Sequence, residues 1–178
     1  MKIFIDPGHG GTDPGAVGSG LKESDINLDT ALRLERILVR RGFDTKMSRT
    51  TDVFVPLAER AEMANNWGAD YFISVHSNAS EDPTASGIET LYYKENTPGM
   101  YLASEIQNQL VLQNGLVDRG IIPRPNLAVL RLTSMPAVLV ELGFLSNPTE
   151  AKLLGTPEFR QRSAQGIADG LSEYLRTQ

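Results

Sequence analysis

The chain has 178 residues, 40% of them hydrophobic and 22% charged, enough to bury one substantial core and close to the usual size of a single domain. It contains no cysteine, which excludes a disulfide framework and any thiolate metal site and leaves His, Asp and Glu to hold a metal. A formal net charge of −5 argues against an electrostatic grip on nucleic acid or on an anionic wall polymer, so affinity for such a polymer must come from a formed cleft or a separate module.

No apolar run approaches the roughly 18–20 residues of a membrane helix, and the opening MKIFIDPGHGG turns polar too early for a signal peptide. No membrane insertion is expected. KIFID predicts a first strand ending in DPGHGGTDPGA, a Gly/Pro-rich loop at the strand's carboxyl end. Ser24 reads as a helix cap, and Leu28, Ala31, Leu32, Leu34 and Leu38 form an apolar stripe up to a stop at Arg40-Arg41-Gly42. Phe43 to Met47 predicts a strand, Leu57 to Trp67 a helix after Pro56, and Tyr71 to Val75 a buried strand ending at His76.

Ile88 to Tyr93 predicts a further strand, and Leu102, Ile106 and Leu110 share one face of a helix. The segment from Gly115 to Pro125 is rich in turn formers and reads as loop. Strands are expected at Leu127 to Leu130 and at Ala137 to Val140. Asn147 ahead of Pro148 reads as the cap of a helix near Thr149. Ala164, Ile167, Ala168, Leu171, Tyr174 and Leu175 make a closing amphipathic helix. Six strands alternating with helices predict one three-layer α/β domain over 1–178, with a mostly parallel central sheet flanked by helices. Sites in such sheets form at the strand carboxyl ends, where His9, His76 and Glu141 converge.

His9 and His76 are the two histidines of the chain. A single histidine is more often a satisfied structural group, but Gly8, Gly10 and Gly11 clear side chains from around His9 and leave room for a ligand. Neutral imidazole is the commonest metal ligand, and catalytic zinc sites use three protein ligands and one open position. The third ligand must be a carboxylate: Glu23 has the best position, where the His9 loop enters the first helix, with Asp6 and Asp13 as rivals. Glu23 on its own reads more readily as a solvated charge stabilising a helix N-terminus, and position alone does not decide it. Glu141, directly after Val138-Leu139-Val140, is costly to bury unless it is paired, metal-linked or catalytic; an ion pair with Arg131 is the structural alternative. A phosphate loop is excluded, because the glycines fit neither GxGxxG nor GxxxxGK[ST].

The blocks DPGHGGTDPGAVG, LKESDINLDTALRL, SRTTDVFVPLAERAEMAN, ISVHSNAS, GIETLYY and PAVLVELGFLSNPTEAKLL, in this order over nearly the whole chain, resemble the zinc-dependent N-acetylmuramoyl-L-alanine amidases of the amidase-3 type. The resemblance implies His9, Glu23 and His76 as ligands of Zn2+, Glu141 as the catalytic carboxylate, and peptidoglycan as substrate. The amide between the muramic acid lactyl group and L-alanine would be cut. It also implies a monomer that acts outside the cell or in the wall, either as a full-length enzyme or as the catalytic domain of a larger hydrolase. Asn78 and Arg131 lie near the motifs and are candidates for substrate positioning. The competing readings are a wall-binding module without catalysis, a zinc peptidase or deacetylase, and a glycosidase using a carboxylate pair, for which the histidines would be idle.

Overall fold

The computed structural model describes residues 1–94 and 96–178. In chain order the elements are β1 (Lys2–Pro7), a hairpin of β2 (Val17–Gly18) and β3 (Leu21–Lys22), α1 (Glu23–Arg40), β4 (Asp44–Met47), α2 (Leu57–Trp67), β5 (Tyr71–Asn78) and β6 (Ile88–Tyr92). They continue with α3 (Thr97–Asn114), β7 (Asp118–Pro123), α4 (Ala128–Arg131), β8 (Ala137–Phe144), α5 (Pro148–Leu154) and α6 (Pro157–Arg176). None of the described helices is long and apolar enough to cross a membrane.

The main sheet has six strands in the order β4-β1-β5-β8-β6-β7. Neighbours run parallel except at the β6–β8 junction, as the alternation of strands and helices requires. Both faces are covered. Ile3, Ile5, Ile73, Val75, Val138 and Val140 pack on one face with apolar side chains of α1, α3 and α6, such as Leu34, Ile106 and Ile167. Phe4, Phe72, Leu91, Ala137 and Leu139 pack on the other with Ala64 of α2 and with Val129 and Leu130 of α4.

The two-residue alternation of strands puts chemistry on that second face. Beyond Phe4 on β1 comes Asp6, beyond Phe72 on β5 come Ser74 and His76, and beyond Leu139 on β8 comes Glu141. The pairings Asp6–Ser74, His76–Glu141 and Glu141–Glu89 tie these positions into one polar row across four strands. The short α2 and α4 cover the apolar part of the face.

Four expectations are corrected. The segment from Gly115 to Pro125 is not all loop, since β7 runs through it as an edge strand paired only to β6; Gly120 and Pro123 disguise it, and an edge strand needs no apolar pattern on both faces. Leu127 to Leu130 is not a strand but leads into the single helical turn of α4, because a four-residue apolar run has no period that separates the two. Ser24 is not the cap of α1. Lys22 occupies the cap position without a side-chain hydrogen bond, and Glu23 is the first helical residue. Glu141 lies inside β8 rather than at its end.

Candidate functional site

The loop after β1 makes a sharp excursion and returns Glu23 to the strand end that carries His76. His9 adopts a positive φ of 60°, a conformation that costs a side-chain-bearing residue free energy and persists only where surroundings enforce it. Two buried arginines do so. Arg49, 3% exposed, donates to the carbonyls of Pro7 (3.0 Å), Gly8 (2.9 Å) and Ser24 (2.9 Å). Arg60, 2% exposed, donates to the carbonyls of Pro7 (2.7 Å), His9 (2.9 Å) and Val55 (2.9 Å) and pairs with Asp6 at 2.8 Å. Asp6 also accepts from Ser48 at 2.6 Å and Ser74 at 2.7 Å, so all of its charge is spent on structure. The planar guanidinium fork lets each arginine gather several diverging carbonyls.

The glycines are set by contact. A Cβ at Gly8 would collide with the His76 ring, and one at Gly15, whose φ is +65°, would lie 2.5 Å from Glu23 Oε2 and 2.7 Å from His9 Cδ2.

Glu23 Oε1 lies 3.2 Å from His9 Nε2 and 3.0 Å from His76 Nδ1, and the two rings meet edge to face with centroids 4.9 Å apart. One donor atom from each of His9, Glu23 and His76 falls within 4.8 Å of the others, a spacing able to hold a metal ion. The other Glu23 oxygen accepts from the Ala16 amide at 2.9 Å, and the Ser77 amide reaches Oε1 at 3.2 Å. The far nitrogen of His9, Nδ1, is held by Asp13 at 2.8 Å, the outer carboxylate that commonly orients a metal-ligating imidazole. Of the three carboxylates weighed as third ligand, Glu23 stands between the rings, Asp13 stands behind one ring, and Asp6 is paired to Arg60.

Electrostatics fit a cation at this point. Burial pushes the Glu23 carboxyl up, but hydrogen bonds from His76 and His9 outweigh it and hold the group well below the ordinary carboxylate range. His9 is raised to about 8, first by its hydrogen bond to Glu23 and against burial. A buried carboxylate with no arginine or lysine in contact among the described residues, faced by two imidazoles, wants positive charge.

Glu141 stands one strand away, level with His76. Its Oε2 is buried with no hydrogen-bond partner among the described residues. Burial, then the charges of Glu23 and Glu89, push its pKa well above the ordinary value, against a smaller opposing pull from Arg124. The Arg131 ion pair considered from sequence is not formed: Arg131 is exposed on α4 and makes no hydrogen bond to these groups among the described residues. Asn78 ends β5 and donates to Glu89 at 3.0 Å, while Arg119 holds the other Glu89 oxygen at 2.8 Å.

Arg49, Arg60 and Glu89 were not singled out from sequence as parts of this site, and Asp13, weighed there as a ligand, instead backs the His9 ring. One signal existed: Arg60, Ala61 and Ala64 share the buried face of α2, and an arginine on a buried stripe needs acceptors waiting for it.

Against known proteins, residues 3–173 match the family model described as N-acetylmuramoyl-L-alanine amidase. The chain is 42% identical over 176 residues to the sporulation-specific N-acetylmuramoyl-L-alanine amidase of Bacillus subtilis (strain 168), covering 97% of this chain and 68% of that protein. It is 39% identical to the amidase LytC of the same organism, covering 98% of this chain but 35% of LytC. The fold superposes on the crystal structure of an N-acetylmuramoyl-L-alanine amidase from Clostridium difficile 630 with a TM-score of 0.95 and 39% identity, covering 99% and 97% of the two chains. Motif order, fold and overall similarity agree, and the chain belongs to the N-acetylmuramoyl-L-alanine amidase family.

Proposed function

We propose that this chain is a single catalytic domain that hydrolyses the amide between the lactyl group of N-acetylmuramic acid and L-alanine in peptidoglycan, with zinc held by His9, Glu23 and His76. The observation that carries the reading is the pairing of that three-donor cluster with an unpartnered buried carboxylate, Glu141, one strand away. Two imidazoles and a carboxylate match the donor set of catalytic zinc, which leaves a position open. When bound, the ion would lower the pKa of a water toward roughly 7 and polarise the scissile carbonyl.

The protein's own groups supply the rest. Glu23 and the two histidines would hold the ion one strand away from Glu141. Glu141, with its raised affinity for a proton, takes one from the attacking water and passes it to the L-alanine nitrogen as the C–N bond breaks. Asp13 keeps His9 in the tautomer that presents Nε2 to the site. Arg49 and Arg60 hold the loop backbone, so the donors are in place before substrate arrives. We place the activity outside the cell or at the wall, with the chain acting as a monomer; Asn78 acts by holding Glu89, and Arg131 has no assigned part.

The test is digestion of purified peptidoglycan by zinc-loaded and chelated protein, with new alanine N-termini and new reducing ends assayed separately. The expected result is alanine amines that vanish on chelation and return with zinc. New reducing ends would indicate a glycosidase, other N-termini a peptidase, and either would overturn the proposal.

A further inference from the structure

The site is two-sided. On the β1 flank of His76 lies a cavity of about 330 Å³ walled by Phe54, Val55 and Leu57, with His9, His76, Asp6, Asp13 and Arg60 also in its lining, at the small end of the usual range for small-molecule pockets. Phe54 is 52% exposed and Leu57 60%, although neither has a folding reason to face solvent. The wall is anchored to the metal loop: the Gly11 amide donates to Asp52 at 2.8 Å, and a Cβ on Gly11 would lie 2.5 Å from the Phe54 amide nitrogen. The opposite flank, over β8, β6 and β7, is polar and charged, with Glu141, Glu89 and Arg119 in sequence.

We propose that the Phe54–Leu57 wall receives the acyl half of the substrate, the lactyl group and its sugar ring, so that the peptide half lies across Glu141 toward β6 and β7. This rests on the amidase reading above, which fixes the direction. Glu141 must reach the departing nitrogen within hydrogen-bond distance, and Glu141 lies on the β8 side of His76. The group on the nitrogen therefore extends toward β6, and the acyl group is left the other side. The wall itself is apolar, suiting the lactyl and acetamido methyl groups and the C–H face of a sugar ring on Phe54. A peptide bearing amides and carboxylates is better matched by the polar flank.

The experiment compares three soluble compounds sharing the scissile amide: N-acetylmuramoyl-L-alanine amide, its sugarless D-lactyl analogue, and an N-acetylmuramoyl tetrapeptide. Phe54→Ala is expected to lower kcat/KM about tenfold on both sugar-bearing compounds, mainly through KM, and to leave the sugarless one within about twofold. The ratio between the short and long peptides stays unchanged. Equal loss on all three compounds, or a changed peptide ratio with the sugar effect intact, overturns the proposal. A second readout needs no turnover. In isotope-labelled wild-type protein, N-acetylmuramic acid is expected to shift the backbone amides of Phe54, Val55 and Leu57, and an L-alanyl peptide those of Glu89 and Arg119; the reverse pattern overturns it. If wild type releases no alanine amine from any compound, the amidase reading fails, while the titration still reports which flank takes the sugar.

Discussion

Glu141 is held where its charge is unwelcome, half-buried near two other carboxylates with its Oε2 enclosed and without a partner among the described residues. A folded pKa raised above the unfolded value of about 4.3 means that ionising Glu141 costs stability at every pH above that value. Glu141→Gln removes that cost and the proposed proton carrier together. The variant is expected to melt at or above the wild-type temperature at pH 7, to retain zinc after dialysis, and to lose about 10²- to 10⁴-fold in kcat. Calorimetry, metal analysis and turnover check the three parts, and full activity would remove Glu141 from the mechanism. Arg60 shows the opposite economy. It spans Asp6 and three loop carbonyls while buried, so Arg60→Met strands a buried carboxylate and is expected to cost about 3–5 kcal/mol in urea unfolding. His9, His76 and Glu141 stood out in sequence because their residue types are rare in such positions, whereas Glu23, an ordinary charge for a helix start, was singled out by the resemblance. The arginines did not, because an arginine in a polar motif reads as a solvated charge until the carbonyls it gathers from three segments are seen.

At the scale of elements, helix ends and charge pairs decide how the layers meet. Asp29 of α1 accepts from Arg33 at 2.9 Å and also pairs with Arg160 of α6. Burial pushes its carboxyl up, but the two arginines outweigh burial and hold it below its ordinary value. Since the folded pKa is depressed, the contribution is present above the unfolded value of about 3.9 and is lost as pH falls through the folded value. Asp29→Asn is expected to lower stability by about 1 kcal/mol or less at pH 7, because the pair is part-exposed, and by progressively less as the pH falls below the unfolded value of about 3.9. A gap that did not shrink with falling pH would assign the effect to packing. The elements most legible in sequence were those buried on both faces: β1, β5 and β8 are continuous apolar runs. β7 and α4 were hidden because an edge strand and a single helical turn each leave too few buried positions to set a period. Their errors offset in number, so six strands were expected and the main sheet has six, with β7 in place of the strand at Leu127 to Leu130 and the β2–β3 hairpin outside it.

Across the whole molecule, the three donors come from separate parts of the chain: the loop after β1, the start of α1, and β5. No local segment holds them together, so bringing them within 4.8 Å depends on the folded sheet and on α1 packed against it. A metal that binds this arrangement and not the unfolded chain must stabilise the entire fold, by RT ln(1 + [L]/Kd), or about 2.7 kcal/mol at a hundredfold excess over Kd. For a chain of this size each kcal/mol moves Tm by roughly 2–4 °C, so zinc is expected to raise the single unfolding transition by about 5–10 °C. The shift should survive Glu141→Gln, which lies outside the donor cluster, and disappear in His9→Ala, His76→Ala and Glu23→Ala. Calorimetry with and without chelator separates the cases: equal shifts in the His9 variant and wild type would place the ion elsewhere, whereas a shift confined to proteins with all three donors ties metal, loop and sheet into one cooperative unit.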